Sequence, residues 1–138
     1  MRFVKSALWA LVLIFGAGAA LAEPFDWKTA SSESVVEILT SDDDGTLRET
    51  PVWIVVIDGA GYVRTNESRW LANIRRHSAV RLRVQDAEHA VRATEIHDVQ
   101  LAGRVEEAFK KKYGNTQRLM SLFRTSEPTV LRLTALES

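Results

Sequence analysis

The chain has 138 residues, 18 Lys+Arg against 18 Asp+Glu, and no cysteine. That is enough for one ordinary domain. The balanced charge leaves no basic footprint for nucleic acid or an anionic membrane surface, and the missing cysteines exclude disulfide staples, thiol catalysis, iron–sulfur clusters and Cys-based zinc sites.

Residues 1–22 read as a cleavable signal peptide. Arg2 and Lys5 precede an apolar run from Ala7 to Ala19, and Ala20-Leu21-Ala22 provides a small-x-small cleavage site before Glu23. The apolar run is shorter than the roughly 20 residues a membrane span needs, which argues against an uncleaved anchor. The chain is therefore predicted to be exported to the periplasm or beyond the cell, with no membrane attachment after cleavage. The mature domain is 23–138, with a formal charge of −2 once Arg2 and Lys5 are removed.

Residues 23–33 (EPFDWKTASSE) read as an irregular lead-in that lays Phe25 and Trp27 on the core. Ser34 to Thr40 is apolar and β-branched, hence a strand, and Ser41-Asp42-Asp43-Asp44-Gly45 is a turn. Thr46 to Asp58 reads as one long strand in which Pro51 marks an edge or a bulge. Gly59-Ala60-Gly61 is a tight connection into a hairpin partner, Tyr62 to Thr65. The period then changes: Trp70, Leu71 and Ile74 share a face of a short helix from Ser68 to His77, capped by Asn66 or Ser68. Ala79 to Val84 alternates as a half-buried strand, and Glu88 to His97 follows after a turn at Gln85-Asp86. Asp98 caps a long amphipathic helix to Tyr113, with Leu101, Val105 and Phe109 at four-residue steps and Gly114 as its stop. Gln117 to Phe123 reads as a further helical turn, and Thr129 to Leu136 as the last strand. Hairpin-length connections imply antiparallel pairing. The predicted class is α+β, a small antiparallel β-barrel of about six strands with one short and one long helix.

The segment from Thr65 carries the clearest chemistry. A strand end followed by Thr65, Asn66, Ser68 and Arg69 at a helix start gathers hydroxyls, an amide, free backbone N–H groups and a guanidinium, which together suit a phosphate. Arg64 leaves the same strand end, and Trp53 and Trp70 offer flat apolar walls to a ring, although either also reads as core. No side chain stands out as acid, base or nucleophile, and no G-x-S-x-G elbow exists. His89, Glu95 and His97 share a strand face, but eight residues of strand, about 26 Å, separate the two histidines, so no metal is predicted.

The run from Pro51 to Leu82 resembles the split-barrel flavin-binding superfamily of pyridoxamine-phosphate-oxidase-like proteins and deazaflavin-dependent nitroreductases. The resemblance rests on Pro51-Val52-Trp53, Tyr62, Thr65-Asn66, Ser68-Arg69-Trp70, Asn73-Ile74 and Ser78 to Leu82. It continues through Phe109, Lys112, Tyr113 and Gly114 into the closing strand. It looks nearest to a branch without a defined reaction, and it implies a bound flavin mononucleotide or deazaflavin and a homodimer with the ligand groove at its interface. It also gives Arg48 a place beside the cofactor. Two positions depart from the pattern. Asp42-Asp43-Asp44-Gly45 stands where deazaflavin binders carry a basic glycine-rich loop, and Trp70 stands where the oxidase-like branch has lysine. Two functions follow: a flavin- or deazaflavin-dependent reductase-like protein, or a non-catalytic module that binds a small anionic ligand or a protein partner in the same groove.

Overall fold

The computed structural model describes residues 25–121 and 127–136. The signal peptide predicted for residues 1–22 lies outside them. The elements are α1 (Trp27–Ser31), β1 (Val36–Ser41), β2 (Leu47–Val52), β3 (Val55–Ile57), β4 (Ala60–Thr65), α2 (Arg69–Arg76), β5 (Ala79–Val84), β6 (Ala87–Glu95), α3 (Val99–Ser121) and β7 (Thr129–Ala135). All strand pairs are antiparallel, in the order β2-β1-β5-β6-β7-β4-β3.

That order forces the sheet to curl. The strands at its two edges, β2 and β3, follow one another in the chain with only Trp53 and Ile54 between them. A flat seven-stranded sheet would hold its edges about 29 Å apart, at roughly 4.8 Å per strand. Val52 and Val55 are three Cα steps apart, about 11 Å at most. The edges therefore come together and the sheet becomes a split barrel. Its interior is filled by Ile38, Leu82, Val91, Leu131 and Leu133 from the strands and by Trp70, Leu71 and Ile74 from α2. A second cluster lies outside the barrel, where Val105 and Phe109 of α3 pack on Val55, Tyr62 and Val130.

Three expectations are corrected. Residues 46–58 are not one strand: the chain leaves β2 after Val52 and re-enters the sheet at Val55 on the opposite edge, which raises the strand count to seven. Pro51 sits in an edge strand, where its missing donor can be tolerated. The hairpin turn is Asp58-Gly59 rather than Gly59 to Gly61. Both turn residues have positive φ, 50° and 78°, as a two-residue type I′ turn requires, and Ile57 pairs with Ala60 across it. The lead-in is not wholly irregular: Asp26 caps the five-residue α1, whose Ala30 is fully buried. Trp27 lies so close over Gly61 that a Cβ there would meet its Cζ3 at 2.5 Å. Phe25 stacks on His89 at 4.1 Å, and burial lowers the affinity of His89 for a proton. The helix stop at Gly114 is real, with φ 58° and ψ −129° breaking the helical path, and helix resumes to Ser121. Residues 122 and 123 of the extra turn lie outside the described residues.

Candidate anion site at the start of the second helix

Ser68 is the N-cap of α2, with extended backbone and a hydroxyl that accepts from the Leu71 amide at 3.2 Å. Thr65, the last residue of β4, donates its hydroxyl hydrogen to the Asn66 carbonyl at 2.8 Å, and its Oγ1 lies at hydrogen-bond distance, 3.0 Å, from Ser68 Oγ. These bonds fix the strand-to-helix step and use the hydroxyls the sequence had offered to a ligand. The first amides of the helix, those of Arg69 and Trp70, have no intrahelical acceptor. Arg69 is exposed.

Arg69, Asn73 and Arg76 recur at helical spacing on the side of α2 that meets the β1–β2 turn. Asn73 is buried and donates to Thr40 Oγ1 at 3.0 Å and Asp42 Oδ1 at 2.8 Å. Arg76 donates to the Ser41 carbonyl and to Asn73 Oδ1, at 2.8 and 2.9 Å. Asp42 takes both the Nε and Nη2 groups of Arg48, at 2.9 and 3.1 Å. The hydrogen bonds from Arg48 and Asn73, with the charges of Arg48 and Arg69 behind them, hold the Asp42 carboxyl down at about 2. Two guanidiniums, those of Arg48 and Arg69, thus act on one carboxylate. The sequence had placed Asp42 in a solvated turn and gave Asn73 no role of its own. A polar residue on the Trp70–Ile74 face of an amphipathic helix was the available signal, since a buried amide must find partners.

The candidate residues divide into separate groups. Thr65, Asn66, Ser68 and Arg69 lie together at the β4–α2 step, and Arg48 and Arg69 share the field of Asp42. Arg64 goes elsewhere. One residue before Thr65, it points to the opposite face of β4, pairs with Glu106 of α3 and lies over the Phe109 ring at 3.8 Å. Trp53 joins that side too, stacked on Tyr113 at 4.2 Å and 5°. Trp70 is 6% exposed inside the barrel.

The end of α3 is tied down just before its break. Lys112 donates to the carbonyls of Glu33 and Ile54, both at 2.7 Å, and Tyr113 Oη donates to Ser34 O and accepts from the Ile54 amide. Burial lowers the Lys112 pKa and raises that of Tyr113. These groups bond backbone carbonyls and an amide, so their role here is to hold the crossing segment Trp53–Ile54. Among the described residues no group of three His, Cys, Asp or Glu side chains is arranged to hold a metal ion, and no helix is long and apolar enough to cross a membrane.

The family described as "Uncharacterized protein conserved in bacteria (DUF2255)" matches residues 27–133, and the chain belongs to it. No curated protein matches. Among solved structures, the chain is similar to the heme storage protein HutZ from Vibrio cholerae, with 13% identity over 81% of this chain and 88% of that one at a TM-score of 0.64. It is similar to an FAD-binding protein from Mesorhizobium loti, with 12% identity over 80% and 87% and a TM-score of 0.61. An F420-H2-dependent reductase gives 15% identity over 73% and 94%, with a TM-score of 0.59. At such identities the shared property is the fold, which is the split barrel.

Proposed function

We propose that this member of the DUF2255 family is an exported split-barrel protein that holds the phosphate of a flavin mononucleotide or deazaflavin at the start of α2. The single observation behind this reading is the set of donors on one surface: exposed Arg69, the open amides at the head of α2, and Arg48 within the field of the same carboxylate. Solved proteins of this fold described as binding FAD or using F420-H2 add support. The chemistry such a cofactor supplies is hydride transfer at its ring, and the part of this chain is to bind and orient it. Arg69 would meet the phosphate, Thr65 and Ser68 would fix the backbone beneath it, and Arg48 would join once released from Asp42. Trp53 already has one face on Tyr113 and Trp70 is buried, so neither is assigned to the ring. A homodimer paired through the barrel, which would cover its open edges, belongs to the same reading.

The second reading, a non-catalytic module for a small anion, is favoured by Asp42. Its carboxylate already occupies Arg48 through two hydrogen bonds and would repel a polyanionic tail. The test begins with the absorbance spectrum of protein purified from its native compartment, followed by titration with flavin mononucleotide. Arg69→Ala should weaken flavin mononucleotide about tenfold to a hundredfold, the worth of a charge-assisted hydrogen bond, and leave riboflavin unchanged. Asp42→Asn frees Arg48 and should tighten the same ligand. Wild-type protein that binds neither flavin mononucleotide nor a deazaflavin at tens of micromolar, roughly the weak end of cofactor affinities, would sink the cofactor reading in favour of the second.

A further inference from the structure

At the other end of β4 from Thr65, about 16 Å along the strand, an open-mouthed cavity of about 410 Å3 lies between the β3–β4 hairpin tip and the start of α3. Its size falls in the range of small-ligand pockets, about 300–1,000 Å3. Arg132 of β7 lines it, partly buried, and donates its Nε to the Tyr62 hydroxyl at 3.1 Å. Its two terminal amino groups make no hydrogen bond to another described residue. A guanidinium half out of water with its planar fork unspent is a ready receptor for a carboxylate. The Tyr62 hydroxyl accepts from Arg132, so its own hydrogen remains to be given.

The rim carries the opposite sign. Asp98 caps α3, and its Oδ1 accepts from the Gln100 and Leu101 amides while Oδ2 has no partner among the described residues. Arg104 pairs with Asp58 at 3.1 Å at the exposed lip. Two guanidiniums and two carboxylates thus line one cavity, with Leu101 as apolar wall. A dianion would meet Asp98 and Asp58, and a simple cation would meet both arginines. A molecule carrying one charge of each sign meets neither objection.

We propose that this cavity binds a small zwitterion of the α-amino-acid class, its carboxylate on Arg132 and its ammonium toward Asp98. The site is separate from the head of α2, and its occupancy does not depend on a cofactor there. The test is a titration of the folded protein with the common amino acids by calorimetry and amide NMR shifts. The tightest binder is then compared with its deaminated and decarboxylated analogues. Each analogue should bind at least tenfold more weakly. Arg132→Met should lose at least tenfold, and Arg69→Ala should lose nothing. Asp98→Ser keeps a helix cap while removing the charge, so it tests the site even if Arg132→Met fails to fold. It should weaken the amino acid and spare the deaminated analogue. Absence of saturable binding by every amino acid, equal binding of the two analogues and the parent, or full affinity in Asp98→Ser would each overturn the proposal.

Discussion

The two outer faces of this sheet solve the same problem in opposite ways. Over β3, β4 and β7 the outward residues Val55, Tyr62 and Val130 are apolar, and α3 covers them with Val105 and Phe109. Over β2, β1, β5 and β6 the outward side chains of Glu49, Glu37, Arg83 and Glu88 are charged and meet across the strands instead. One guanidinium, on Arg83, serves three carboxylates there at 2.9–3.1 Å. A pleated strand offers every second residue to each face, so the outward parity decides whether a strand recruits a helix or a solvated charge ladder. Burial is the stronger device, because packing contacts are not screened by water and salt, whereas exposed ion pairs are.

Breaking the helix-covered face should therefore have the largest effect. Phe109 is 1% exposed, supports Tyr113 and carries the Arg64 guanidinium on its ring. Phe109→Ala removes a fully packed aromatic ring and should cost about 3–5 kcal/mol by urea or thermal unfolding. A loss no greater than that from a charge on the other face would mean that α3 is an ornament on the barrel, and the comparison would fail.

The same contrast explains what could be read from the amino-acid sequence. The alternation in Ala79–Val84 and the four-residue steps of Leu101, Val105 and Phe109 report inward and outward parity directly, so those elements lie where periodicity places them. The long run from Thr46 to Asp58 defeated the same logic. Nearly every residue from Val52 to Ile57 is apolar or β-branched, and period gives no sign that the chain changes edges at Trp53–Ile54. That crossing is set by barrel closure, a property of the whole sheet. The Asp58-Gly59 turn carried a plain local signal that the neighbouring glycines obscured. At the site, Thr65, Ser68 and Arg69 sit at a strand-to-helix step because caps are local chemistry. Arg64 neighbours Thr65 in sequence yet lies away from the notch, because adjacent residues of a strand face opposite sides. The partnership of Asp42 with Arg48 and Asn73 spans three elements and has no local signature.

Asp42 sharpens the comparison from the polar side. Its carboxyl, with an ordinary value of 3.8, is held at about 2 by Arg48 and Asn73 in the folded protein. A depressed folded value means that the contribution is fully present above about pH 4. It is lost as pH falls through the interval from 4 to 2, because the unfolded chain takes up the proton first. Stability measured against pH should therefore fall across that interval, and Asp42→Asn should flatten this part of the curve. An unchanged acid limb in the variant would show that other carboxylates dominate it.

The smallest effect is expected at Arg83, although it has the most ion pairs. The hydrogen bonds that its guanidinium donates to Glu37, Glu49 and Glu88 raise its affinity for a proton, yet it is charged at every accessible pH in folded and unfolded chains alike. Its partners also remain partly in water, with Glu49 the most open at 43%. Arg81 also pairs with Glu88, but among the described residues Glu37 and Glu49 meet only Arg83, so removing this cation costs attraction and exposes mutual repulsion among the carboxylates. Both contributions act through solvent and weaken with salt. Arg83→Met keeps most of the aliphatic stem against the sheet, so what it removes is charge. The expected outcome is a modest loss of thermal stability at low ionic strength that shrinks as salt approaches about 1 M, where the screening length is roughly 3 Å. Phe109→Ala should show no such salt dependence. A large, salt-independent loss in Arg83→Met would mean that the ladder packs as tightly as the helix-covered face, and the distinction between the two faces would have to be abandoned.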